Sequence, residues 1–217
     1  MNSNSMNRRD FTRAGVVALA LPAGVARAQG RAPVEGKDFV RLPNPVAVPA
    51  GGKIDVIEFF SYGCPHCFDF EPALEAWVKR LPPDVAFRRV AAAFNAPFEH
   101  YAKLHYALEQ NGLDAALGRR VFAAIHVQRQ SLGKEADVAA FVQANGGDGA
   151  KVVEAMKSFG VATRVRQSKQ MFDAYKVDGV PTLGIHGRWF TSPSLAGGKD
   201  QALAVADELI KRARKPA

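Results

Sequence analysis

The only two cysteines of this chain stand three residues apart, in Cys64-Pro65-His66-Cys67, just behind the run Ile54-Asp55-Val56-Ile57-Glu58-Phe59-Phe60. No other feature constrains the fold as tightly. The run is β-branched, aromatic and nearly continuous in its apolar character, which predicts a central strand covered on both faces. From Phe68 to Leu81 the period becomes helical, with Phe70, Leu74, Trp77, Val78 and Leu81 on one face. Pro72 predicts a kink about one turn into that helix. Pro82-Pro83-Asp84 stops it, and Val85 to Val90 reads as the next strand. The cysteines therefore occupy the strand-to-helix turn of a β-α-β unit, the edge at which open α/β sheets bind and react. A bridge across so short a loop restricts the unfolded chain little. The value of the pair must be chemical.

The rest of the chain completes the pattern. Gly30 to Gly52 is rich in Pro and Gly, with one short extended candidate at Phe39 to Leu42. From Phe98 to Tyr175 apolar residues recur at helical spacing in five segments, joined by short Gly-containing turns that imply antiparallel packing. Asp178-Gly179-Val180-Pro181 then leads into Thr182-Leu183-Gly184-Ile185, a tight turn at His186-Gly187, and Arg188-Trp189-Phe190, which together read as a hairpin. Gln201 to Arg212 closes the chain as an amphipathic helix. The expected class is α/β: a thioredoxin fold with an inserted all-helical domain. Residues 29–97 supply its first part, 98–175 the insertion and 176–217 its second part.

Residues 1–28 read as an address. Asn7-Arg8-Arg9-Asp10-Phe11-Thr12 is a charged opening, Ala14 to Val25 is uncharged and apolar, and Ala26-Arg27-Ala28 has the small-x-small form of a cleavage site. The paired arginines resemble a twin-arginine signal, with the general export route as the alternative. The apolar run falls short of the roughly 20 residues a membrane span needs. The mature chain should begin near Gln29 and work in the periplasm. Removing the five charged residues of this segment lowers the formal charge of the 217-residue chain from +8 to +5. The remaining excess forms no single patch beyond Lys211 to Lys215, where cations suit a helix C-terminus, so no nucleic-acid partner is expected.

At a helix start the sulfur of Cys64 meets unpaired N–H groups and the positive end of the helix dipole, which favour thiolate over thiol. His66 adds a donor, and Pro65 presets φ where its missing N–H costs nothing. A fall in the Cys64 pKa from about 8.5 to about 4 would stabilise the dithiol form by roughly 4 kcal/mol at pH 7. That is worth about 90 mV, in the direction of an oxidant. Glu58, a carboxylate inside an apolar strand, needs a proton or a partner. Zinc would need two further ligands, and the remaining histidines, His100, His105, His126 and His186, fall on different elements without paired spacing. Neither a metal nor a cofactor is expected, and those four histidines read as surface or core-edge residues.

Glu58 to Cys67 and Gly179-Val180-Pro181-Thr182 together resemble the DsbA family of periplasmic thiol:disulfide interchange proteins, over nearly the whole mature chain. The resemblance implies attack through a solvent-facing Cys64, resolution by an inward-facing Cys67, and a cis peptide before Pro181 beside the pair. It marks His66, Pro181 and Glu58 as catalytic candidates, with Val180 and Pro65 as substrate contacts. It places Glu58 under Cys67, accompanied in that family by a lysine; here Arg88 and Arg89 stand in the next strand instead, leaving the partner open. Further implications are a monomer that oxidises unfolded exported proteins with free cysteines, and re-oxidation by a membrane quinone-linked partner resembling DsbB. The competing readings are a disulfide isomerase or reductase of the same superfamily, and a non-enzymatic peptide-binding chaperone. An isomerase of the DsbC kind would carry an N-terminal dimerisation domain, for which Gln29 to Gly52 is too short.

Overall fold

The computed structural model describes Met1, residues 31–49 and residues 51–215. The expected signal segment and its cleavage site lie, Met1 apart, outside the described residues. Strand β2 (Ile54–Phe60) is buried along its whole length, as its unbroken apolar character demands. It pairs in parallel with β3 (Val85–Ala91) and antiparallel with β4 (Thr182–Ile185). β4 continues through the turn at His186 and Gly187 to β5 (Trp189–Thr191), and β1 (Val40–Arg41) adds an antiparallel edge. The sheet order is β1-β5-β4-β2-β3.

Helix α1 runs from Pro65 to Val78, three residues earlier at each end than the apolar period suggested. Pro65 nucleates it, so Pro72 falls two turns in rather than one. Alternation along β2 turns Val56 and Glu58 toward α1, and Ile57 and Phe59 the other way. Val56 packs with Phe70, Leu74 and Trp77 of α1 and with Leu203, Ala206 and Leu209 of α8 (Lys199–Ala213). The Trp77 indole N–H donates to Asp207 at 2.7 Å, tying the two helices together. On the opposite face Ile57 and Phe59 pack with Phe172 and Tyr175. A four-residue helix, α7 (Pro193–Ala196), capped by Ser192, was not anticipated because one turn leaves no periodicity to read.

The five inserted helices are α2 (Ala96–Gln110), α3 (Asp114–His126), α4 (Glu135–Ala144), α5 (Gly149–Lys157) and α6 (Phe159–Tyr175). Their core does not close on itself. Leu104, Leu108, Val121 and Phe122 share one apolar cluster with Phe60, Tyr62, Cys64 and Cys67. The described residues from Pro33 to Lys215 accordingly belong to one unit. The insertion is packed directly onto the cysteine turn.

Candidate active site

Cys64 is the cap residue of α1. Its backbone is extended, Pro65 takes the first helical position, and no side chain occupies the cap. The first-turn N–H groups are thus left for the sulfur. The Cys64 thiol is lowered to about 6, first by the hydrogen bond it receives from the Cys67 thiol, against a cost of burial, and then by the backbone N–H groups of Cys67 and His66. This is a smaller fall than the helix start alone suggested. Two things limit it: the sulfur is partly desolvated, and His66 stands exposed at the surface. At pH 7 the thiolate is worth on the order of 1 kcal/mol to the dithiol form, part of it screened at the open edge of the site.

The expected division between an outer and an inner sulfur is present but muted. Cys64 is 7% exposed and Cys67 0%, so Cys64 sits in a recess instead of facing open solvent. The Val180 carbonyl forms one wall of that recess, accepting from the Cys64 thiol at 3.5 Å. The Val180–Pro181 bond is cis, with Pro181 buried and Val180 half-buried. Pro65, like His66, lies exposed beside them.

Beneath Cys67 the sequence left Glu58 without a partner, and strand register supplies one. Glu58 stands opposite Arg89 across the parallel pair, and the Arg89 Nε donates to its carboxylate at 2.7 Å. The Arg89 Nη2 donates to both carboxylate oxygens of Glu71 on α1, again at 2.7 Å. Arg88, one residue earlier, points to the other face and holds Asp55 at 2.8 and 3.0 Å. Glu58 Oε1 has no hydrogen-bond partner. Burial pushes Glu58 up to about 7, with Arg89 opposing and Glu71 adding. Burial likewise pushes the Cys67 thiol far up, reinforced by its bond to Cys64 and by the Glu58 charge. The floor of the site therefore holds a carboxyl group that titrates near neutrality under a thiol that resists ionising. Glu71 was missed in the sequence, although its spacing of four from Cys67 puts both on one helical face.

The histidines divide differently from the reading above. His100 and His105 share α2. His126, at the end of α3, is part of the site's wall: its Nε2–H donates to the Tyr62 carbonyl at 2.7 Å, and its ring stacks on Phe68 of α1 at 5.1 Å. Tyr101 of α2 packs against Gly63, where an added Cβ would come within 2.8 Å of its ring. That contact is why a glycine precedes Cys64. No local pattern announces either residue, since both reach the cysteine turn only through helix packing. Among the described residues no group of three or more His, Cys, Asp or Glu side chains is arranged to hold a metal ion.

Residues 85–206 match the family model of the DSBA-like thioredoxin domain. The chain is 40% identical over 199 residues to the thiol:disulfide interchange protein DsbA of Burkholderia cepacia, covering 91% of this chain and 93% of that one. It is 35% identical over 209 residues to that of Pseudomonas aeruginosa, covering 96% and 99%. The crystal structure of Pseudomonas aeruginosa DsbA superimposes with a TM-score of 0.80 at 36% identity, over 83% of this chain and 94% of that one. Xylella fastidiosa DsbA gives 0.80 at 28% identity, over 85% and 99%. With its cysteine pair at the head of α1, its cis-proline segment and its helical insertion, this chain belongs to the DsbA-like family of thioredoxin-fold protein-disulfide oxidoreductases.

Proposed function

We propose that this protein works in the periplasm as a dithiol oxidase, giving its Cys64–Cys67 disulfide to newly exported polypeptides. The observation that supports the oxidising direction is the contrast of the two sulfurs. The reduced pair is favoured because the Cys67 thiol and then the N–H groups of the helix start stabilise Cys64 as a thiolate, while Cys67 keeps its proton inside. A client thiolate attacks the Cys64 sulfur, the Cys64–Cys67 bond breaks, and Cys67 leaves with the electron pair. Glu58, near neutrality in its titration, supplies the proton that Cys67 takes up. A second client thiolate then attacks the client sulfur of the mixed disulfide, releasing Cys64 as thiolate. Two electrons have moved from client to protein.

When Cys64 is a thiolate or is bonded to a client it no longer donates to the Val180 carbonyl. That carbonyl becomes free to accept an N–H from an extended client chain, with Pro181, Pro65 and His66 around it. Re-oxidation falls to a membrane quinone-linked partner resembling DsbB, and the protein acts as a monomer freed from residues 1–28. The thioredoxin-like halves at 29–97 and 176–217 hold the chemistry, and residues 98–175 wall it. The test is a redox titration against glutathione combined with oxidation of reduced, unfolded hirudin. The expected result is stoichiometric oxidation of hirudin by the disulfide form. A potential near that of a reductant such as thioredoxin, about −270 mV, would overturn the reading.

A further inference from the structure

The helical insertion contains a cleft that the exchange chemistry does not use. It has a volume of about 700 Å³ and lies between α3, α4 and the 127–134 connection that joins them. Ala123 of α3 and Ala140, Phe141 and Ala144 of α4 give it apolar surface, and Arg120, Gln128, Gln130, Asp137 and Asn145 give it polar side chains. Arg120 donates to the Asn145 Oδ1 at 3.0 Å and the Gln130 amide to the Gln128 Oε1 at 3.1 Å. Such a mixed lining suits an extended peptide, whose backbone needs polar partners and whose side chains need apolar ones.

The cleft is tied to the cysteine turn through Tyr101 and the 127–134 connection. His126, which bonds the Tyr62 carbonyl, is the last residue of α3, and the connection starts at the next position. The Tyr101 ring rests on Gly63 while its hydroxyl donates to the carbonyl of Ser131 in the same connection. Val127, which follows His126 and opens the connection, is 64% exposed, a large exposure for a valine. The connection is also held in one shape. Leu132 is buried and its carbonyl bonds His100 at 2.8 Å. Both Arg129 and Leu132 adopt left-handed backbone, with φ of 58° and 43°, which non-glycine residues hold only when their surroundings impose it.

We infer that this cleft is a second client subsite, which takes an extended segment of the unfolded polypeptide flanking the cysteine engaged at Cys64. The client lies across Val127, with its side chains toward Ala140, Phe141 and Ala144 and its backbone amides toward Gln128 and Gln130. The inference rests on the reading that polypeptide dithiols are the substrate. It separates two kinds of substrate: a polypeptide uses both Cys64 and the cleft, and a small dithiol uses Cys64 alone.

The test fills the cleft at exposed helix positions with Ala140→Trp and, independently, Ala144→Trp. Each variant is assayed with reduced, unfolded hirudin and with dithiothreitol. The expected result is a rise in KM for hirudin of about fivefold, the loss of one good contact, with kcat for hirudin, the rate with dithiothreitol and the glutathione equilibrium unchanged. An unchanged KM for hirudin in both variants overturns the subsite. So does an equal loss with dithiothreitol, which would place the effect at Cys64. A change confined to self-association in sedimentation would give the cleft to a second copy of the chain and also overturn it. Failure of the unmodified protein to oxidise hirudin would instead sink the oxidase reading itself.

Discussion

Cys64 and Cys67 are one helical turn apart, yet they belong to different regions. Around Cys64 the contacts are the Cys67 thiol, backbone groups and uncharged surfaces: helix N–H groups, the Val180 carbonyl and the turn held by Tyr101 and His126. Under Cys67 lies a buried set of formal charges, Glu58, Arg89 and Glu71, on two strands and a helix. Dipoles aimed from the backbone stabilise a thiolate without needing a counter-ion to be desolvated. Charges in the interior need one another, because each alone would be costly to bury. On the proposed mechanism the upper region sets which sulfur reacts, and the lower region decides how the other sulfur handles its proton.

The largest expected effect tests whether the two sulfurs divide the labour at all. Cys67→Ser should accumulate mixed disulfides with clients on Cys64, seen as reductant-sensitive adducts on gels. Cys64→Ser should accumulate almost none and lose at least about a thousandfold in exchange rate, since a sulfur that no client reaches contributes little. Equal trapping by both variants would erase the distinction between the regions.

Next comes the lower region alone. Arg89→Met leaves Glu58 and Glu71 buried and facing one another, and should cost about 3–5 kcal/mol in urea unfolding at pH 8. Adding Glu58→Gln and Glu71→Gln to that change should recover most of the loss. If the triple variant is no more stable than Arg89→Met, packing rather than charge is what Arg89 provides.

The upper region has its own pH signature. Because the Cys64 pKa is lowered to about 6 from an unfolded value near 8.5, its contribution is fully present above about pH 8.5 and lost as pH falls through 6. Between those limits the reduced form should gain on the oxidised form by at most about 1.4 kcal/mol per pH unit, less where solvent screens the sulfur. Below pH 5 the difference should be flat. Melting both redox forms across pH 4–9 checks it (a range of roughly two units or more beyond the folded-state value on either side), and a constant difference throughout would contradict the helix-start account.

The smallest effect belongs to a single proton. Glu58→Gln keeps the shape of the carboxyl group and removes its titration near 7. The rate at which Cys67 leaves when a client thiolate attacks Cys64 should fall a few-fold and lose its inflection near neutral pH. An unaltered profile would leave Glu58 with a structural role.

Most of the architecture could be read from local pattern. β2 was legible because a strand buried on both faces must be apolar throughout, and the inserted helices because their spacing changed to 3.6. The boundaries moved where capping outweighed period, as at Pro65, where a proline at the first helical position starts α1 before its apolar stripe begins. In the site, the cysteine pair and the Val180-Pro181 segment stood out as motifs. Glu71 was within reach of helical spacing. His126, set aside as a surface or core-edge residue, and Tyr101 were out of reach.

Covalent adjacency and short-range periodicity were enough to place a redox pair at a strand-to-helix turn, and with it the chemistry of the protein. Adjacency does not choose between neighbours. Arg88 and Arg89 are chemically identical and consecutive, yet the parallel register of β2 with β3 sends one to Asp55 on one face and the other to Glu58 and Glu71 on the face beneath Cys67. Burial likewise decided how far the Cys64 thiol falls, and helix packing brought Tyr101 and His126 to the turn from residues far along the chain. These outcomes depend on distances through space, which only the assembled sheet and its covering helices define.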